Sequence, residues 1–204
     1  MLKRTTGRML LTLLVITGLA GTLHNSSLSQ RERKQAIQLI KNSRAEIFSS
    51  INGLSVKQLD YKAGKETPSI HELIMSMVAL EIKCGEEIKT SMDKPSESQD
   101  RLKITITDDQ LLAKNHYSVC GEIINEDIKK LWKDPSEALK KFNAMRQNHI
   151  KYIRTSTEDL RNHVVSTPAG WIDCYQYYLL LADRSYHVAE KINEIKQSPS
   201  FPKK

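Results

Sequence analysis

The chain has 204 residues, enough for one domain with its own core, and 27% of them are charged against only 8 Gly and 6 Pro. That composition excludes a disordered or fibrous chain. Basic residues outnumber acidic ones 31 to 24, a net charge of +7, but the two signs are interleaved. No basic stripe with aromatic residues between is present, which speaks against a nucleic-acid partner.

Residues 1–22 are expected to be a signal peptide. "MLKRTTGR" supplies a basic start with Lys3, Arg4 and Arg8, and "MLLTLLVITGLAGTL" (9–23) is an apolar run too short for a comfortable membrane span. Small residues at Gly18, Ala20 and Thr22 offer a cleavage point. An uncleaved anchor is the alternative; either way the domain, 28–204, is expected to be exported to the periplasm or outside the cell. Loss of the three basic residues with the leader lowers the net charge from +7 to +4.

Ser29 and Glu32 form a capping box that opens a first helix to about Ser50, with Ala36, Ile40, Ile47, Ile51 and Leu54 as its apolar stripe and Gly53 as the stop. Ser55 and Gln58 form a second box in a short turn. Ser69 and Glu72 form a third, which opens a helix to about Ser91 with the stripe Leu73, Met77, Leu80, Cys84 and Ile88. "LKITITDD" alternates briefly and predicts a short extended piece, and 108–132 a shorter helix or two within a long connection. Asp134, Pro135 and Glu137 start the next long helix, with Leu139, Phe142, Met145, His149 and Ile153 as its stripe.

The last helix is expected from Trp171 to about Gln197. Cys174, Tyr178, Leu181, Ser185, Val188, Ile192 and Ile195 recur at steps of four and three, a bundle seam. The fold class is therefore all-α, a four-helix bundle with a long connection between its second and third helices.

Candidate chemistry is sparse. There is no glycine-rich phosphate loop and no G-x-S-x-G elbow. The six histidines, His24, His71, His116, His149, His163 and His187, never pair at i+3 or i+4. His149 on an apolar stripe reads as a satisfied core histidine, and His71 as exposed. Asp183, His187 and Glu190 share one helix face and resemble metal ligands, but at 100° per residue they project away from the seam. Gln176 and Glu194 extend that face, which reads as a solvated exterior. The three cysteines, Cys84, Cys120 and Cys174, match no zinc spacing, and Cys84 and Cys174 read as buried thiols.

The stretches "LSQRERKQAIQLIKNSRAEIFSSINGLSVKQLDYKAG", "DCYQ" (173–176) and "PSFPKK" (199–204) resemble the DinB-like (DinB/YfiT) four-helix bundles, and an exported bacterial subgroup of them, over about Leu28 to Lys204. The resemblance implies a divalent metal such as Zn, Ni or Mn, held by three histidines in a hydrolase or thiol transferase. One histidine would end a W-S-[IV]-x-E-x-x-x-H motif on the second helix, and two would form H-x3-H on the last.

This sequence departs at every ligand. "PSIHELIMS" (68–76) puts Pro68 at the tryptophan position and Ser76 at the histidine position, and the register set by "DCYQ" and "PSFP" puts Arg184 and Val188 at the other two. A hydroxyl is a poor ligand, valine is none and a guanidinium repels a cation. The expectation is an exported bundle protein without its family's metal, a non-catalytic binding or structural module for an unidentified small ligand. Arg184 with Ser76 would offer anion donors, and the resemblance implies a homodimer. The alternative is a metal-dependent hydrolase or transferase with a site rebuilt from Asp183, His187 and Glu190, aided by Glu72 or Glu81. A DNA-repair role is opposed by the leader and the mixed charge.

Overall fold

The computed structural model describes residues 28–65, 67–96, 99–113, 135–167 and 170–203. The expected leader (1–22), Cys120, His24, His116 and the Asp134 cap lie outside these residues. Six helices and a hairpin follow in order. They are α1 (Gln30–Ile51), α2 (Val56–Leu59), α3 (Ile70–Met92), a 3-10 turn (Asp100–Lys103), α4 (Asp108–Ala113), α5 (Pro135–Thr155), β1 (Val164–Thr167), β2 (Gly170–Asp173) and α6 (Cys174–Lys196).

Local capping chemistry starts the helices. Ser29 with Glu32, Ser55 with Gln58, Ser69 with Glu72 and Asp173 with Gln176 each close a reciprocal box. Thr107 and Gln110 exchange the same pair of bonds at α4. Each box satisfies two backbone donors that helix geometry leaves over, at about 0.5–2 kcal/mol for the cap. Gly53, just past α1, has φ 70°, the left-handed stop that glycine adopts without strain.

Side-chain ties set the helix directions. Lys196 donates to the Ser50 carbonyl at 2.9 Å and Tyr175 to the Glu32 carbonyl at 3.0 Å, so α6 runs parallel to α1. Arg33 near the start of α1 donates to the carbonyl of Ile153 near the end of α5, so these two are antiparallel. The close backbone approaches are α1–α6, α3–α6, α1–α5 and α3–α5. Helices consecutive in the bundle, α1 and α3 or α5 and α6, therefore stand on its diagonals. Parallel α3 and α5 require the long connection between them.

The core has two parts. At one end Ala36, Ile40, Ile88, Ile153, Leu160 and the start of α6 pack together; at the other Ile47, Ile70, Ile74, Phe142, Val188 and Ile192 do. Full burial of each such aliphatic side chain contributes about 1.5–3 kcal/mol. The first half of α6 is buried on almost every side, from Cys174 through Ala182.

Three expectations need correction. The last helix does not begin at Trp171: Gly170–Asp173 is a strand paired antiparallel with Val164–Thr167, and Asp173 caps the helix behind it. "LKITITDD" pairs into no strand, but Ile104 within it is extended as expected, between a 3-10 turn at its start and α4 at its end. The buried line of α5 is Ala138, Phe142, Arg146, Ile150 and Ile153, which keeps Phe142 and Ile153 of the predicted stripe and leaves Leu139 and Met145 partly buried at its side. Gln176 does not face solvent but is 2% exposed, closing the Asp173 cap and donating to the Ile106 carbonyl at 2.9 Å.

Candidate functional site

The middle of the bundle holds a charged pair. Glu81 on α3 and Arg146 on α5 are each 1% exposed as side chains. Arg146 Nε donates to Glu81 Oε2 at 3.0 Å and Nη2 to the same oxygen at 2.8 Å. Nη2 also reaches across the diagonal to α6, donating to the Leu181 carbonyl and to Ser185 Oγ, both at 2.8 Å. The guanidinium lies 5.0 Å from the Phe142 ring centroid. Its Nη1 is buried without a hydrogen-bond acceptor.

The pair has a further neighbour on α5. His149, one turn from Arg146 on α5, places Nδ1 3.4 Å from Glu81 Oε1. Its ring packs edge-on against Tyr178, centroids 5.1 Å apart, and Tyr178 lies 6.2 Å from Tyr152. Tyr152 donates to the Glu158 carboxylate at the surface. Burial, then the Glu158 bond, pushes the Tyr152 phenol up to about 12. His149 is therefore not the satisfied core histidine its stripe implied: its side chain is 14% exposed and its Nδ1 faces Glu81 without a hydrogen bond.

Sequence reasoning missed Arg146. The signal was present, because it continues the line from Ala138 and Phe142 to Ile150 and Ile153, a charged residue on a buried helical spacing. Glu81 had been named only as a helper ligand, yet it adjoins Leu80 of the apolar stripe.

The residues singled out in advance lie elsewhere. Ser76, Arg184 and Val188 are all buried, at 5%, 7% and 2% exposure. Val188 packs in the aliphatic end of the core with Ile74, Met77 and Val78. As a donor set for a divalent metal these three do not fit: one hydroxyl, one cation and one hydrocarbon.

Asp183, His187 and Glu190 do meet, but not around a common point. His187 Nε2 lies 3.4 Å from Asp183, and Nδ1 lies 2.9 Å from Glu190. The imidazole stands between the two carboxylates with one on each ring nitrogen, which is ion-pair geometry rather than convergence on a metal. Asp183 and His187 are more covered than a solvated face implies, at 16% and 19% side-chain exposure. Glu72 is engaged by the Ser69 amide and Lys62, and His71, a quarter exposed, faces Asp60 at 3.0 Å. Among the described residues no group of three or more His, Cys, Asp and Glu is arranged to hold a metal ion. Cys84 and Cys174 are buried and form no disulfide among the described residues, and burial pushes the Cys174 thiol up to about 12.

A second charged cluster joins three helix starts. Arg161 donates to Glu32 of α1 at 2.7 Å, to Asp108 of α4 at 2.6 Å and to Asp173 of α6 at 2.9 Å. All three acids sit at helix N-termini, where the backbone dipoles favour negative charge. The stretches that carry the family resemblance are also structural. Gln58 of the α2 turn donates to the Pro202 carbonyl at 2.9 Å, and Tyr61 packs edge-on against Phe201.

No protein-family model and no curated protein matches this sequence. Among solved structures, YfiT from Bacillus subtilis, described as a probable metal-dependent hydrolase with an unusual four-helix bundle topology, matches with a TM-score of 0.60. The match covers 86% of this chain and 92% of that one at 16% sequence identity. The diagonal placement of consecutive helices thus has a solved counterpart, and the fold is a YfiT-like four-helix bundle.

Proposed function

We propose that this chain is an exported bundle protein that has exchanged the metal centre of its architecture for an internal ion pair, and that it acts as a non-catalytic binding or structural module. One observation carries the reading. Glu81, the buried carboxylate at the bundle centre, is already neutralised by Arg146, and Arg146 is fixed in turn by Leu181 and Ser185. A cation that took Glu81 would leave a guanidinium unpaired in the interior, at several kcal/mol. Ser76, Arg184 and Val188, at the positions where the resemblance expects histidines, supply no replacement ligands.

The test is metal content. Protein purified without chelator is expected to carry far less than one Zn, Ni or Mn per chain, and none of these ions is expected to raise its melting temperature. Stoichiometric metal would overturn the reading. It would favour the alternative, a metal-dependent hydrolase like the one YfiT is described to be, or a thiol transferase, built on Asp183, His187 and Glu190. Export is checked by cell fractionation and the mass of the mature chain, expected to start just after the leader, near residue 23. Light scattering decides between monomer and homodimer.

A further inference from the structure

We propose that the groove between the C-terminal turns of α3 and α5 binds a small organic cation with an apolar body, such as a benzylic ammonium. The groove has a volume of about 290 Å³ and is lined by Gly85, Ile88, Lys89, Met92, Asp93, Tyr152, Glu158 and Tyr178. It names a ligand class for the binding role proposed above. It does not involve Ser76, Arg184 or Val188, so its failure leaves the metal reading standing.

Size and shape come first. Pockets that bury drug-sized ligands run from roughly 300 to 1,000 Å³, so this one suits a single ring with a short arm. Space in it follows from a glycine inside a helix. A Cβ built at Gly85 would meet nothing within 4 Å, so the α3 side of the groove is open backbone. Ile88 and Tyr178 are 4% and 5% exposed and give the groove an apolar, aromatic base. Tyr152 tilts at 40° to Tyr178, so two ring faces meet there.

Charge decides the sign of the ligand. Asp93 and Glu158 set two carboxylates on the lining against one ammonium, Lys89. Parallel α3 and α5 both end here, at Met92 and Thr155, and each helix C-terminus carries roughly half a negative charge. The sum is about −2 for the groove. Arg154, the other cation in these last turns, is not part of the lining. Tyr152 donates to Glu158, which orients that carboxylate beside the two rings. Ring faces carry negative potential and attract cations in the same way as the carboxylates, so both features select one ligand charge.

The experiment titrates the full folded chain with benzyltrimethylammonium, benzyl alcohol and benzoate, followed by calorimetry and amide chemical shifts. The ammonium is expected to bind with a dissociation constant on the order of 1 mM or tighter, as its size allows. Shifts should centre on Gly85, Met92 and Asp93, and the alcohol and the carboxylate should bind at least tenfold more weakly. Asp93→Asn with Glu158→Gln should weaken ammonium binding roughly tenfold while benzyl alcohol is unaffected. Gly85→Leu, which fills the groove, should abolish binding at an unchanged helical circular-dichroism spectrum. Equal binding of benzoate, shifts elsewhere on the chain, or undiminished binding by either variant would overturn the proposal.

Discussion

At the end of the bundle where α1 and α6 begin, the core is threaded with polar groups. Arg161 gathers Glu32, Asp108 and Asp173, tyrosine hydroxyls bond outward, and a groove opens beside Tyr152 and Tyr178. At the opposite end, where α3 begins, the packed residues are mainly aliphatic, Ile47, Ile70, Ile74, Val78, Val188 and Ile192 around Phe142. Arg146 and Ser185 lie in the sequence between the residues of the two clusters on their helices, and Glu81 lies just past the changeover on α3, between Leu80 and Cys84. The contrast teaches where this bundle has room for chemistry. An aliphatic interior is held by close packing and excludes water, whereas the laced end brings two carboxylates and two tyrosines to the lining of a groove.

The boundary pair is the largest lever on this difference. Glu81→Ala removes one partner of a buried ion pair and should cost about 3–5 kcal/mol, measured by urea denaturation. Glu81→Leu combined with Arg146→Leu should recover most of that loss, because no charge is then left unpaired. A single-variant loss below about 1 kcal/mol would mean that water reaches the pair and that the two ends are not separated by a dry centre.

Arg161→Met tests the laced end. It should cost about 2 kcal/mol in the same assay, since Asp173 would remain buried without its guanidinium while Glu32 and Asp108 turn to water. A smaller change is expected beside the groove. Gly85→Ala adds a methyl to open space in mid-helix and should stabilise the fold by about 0.5–1 kcal/mol. A loss of stability there would show that the groove wall is closed in solution.

Acidity should reveal the smallest effect. Burial pushes the Glu32 carboxyl up, but the hydrogen bonds from Ser29 and the Arg161 guanidinium outweigh it and hold the group below its ordinary value of 4.5. A carboxyl held low in the fold stabilises the fold above its unfolded value and loses that contribution as the pH falls through the folded one. Glu32→Gln keeps a capping side chain and removes the charge. Wild type should therefore be the more stable at pH 7, and the gap should close progressively below about pH 4.5. Asp173 is held up by burial despite Arg161, so its contribution runs the other way and weakens as the pH rises. A gap that persists into acid would remove the charge argument for Glu32.

The sequence alone determined the four long helices and, for α1, α2 and α3, their starts. Capping boxes at Ser29, Ser55 and Ser69 act within four residues, and their chemistry is written locally. The seam of α6 was equally legible, because a helix that faces a core must repeat its apolar residues at three and four. Cys84 and Cys174 were readable as buried thiols for the same reason. The strands at 164–173 were not, since a two-strand hairpin depends on pairing across a turn more than on the propensity of four residues.

Only the tertiary structure decided which charges are interior. Arg146 stands on a buried helical spacing, but its partners are set only when α3 and α6 bring Glu81, Leu181 and Ser185 to it from 65, 35 and 39 residues away. Asp183, His187 and Glu190 share a face by sequence, but the rotamers put the imidazole between the carboxylates instead of all three around one point. The groove at Gly85 follows from α3 and α5 running parallel and ending together, an arrangement set by the long connection. Periodicity fixes a helix and its inward face; which helix stands opposite, and in which direction, is settled only by packing.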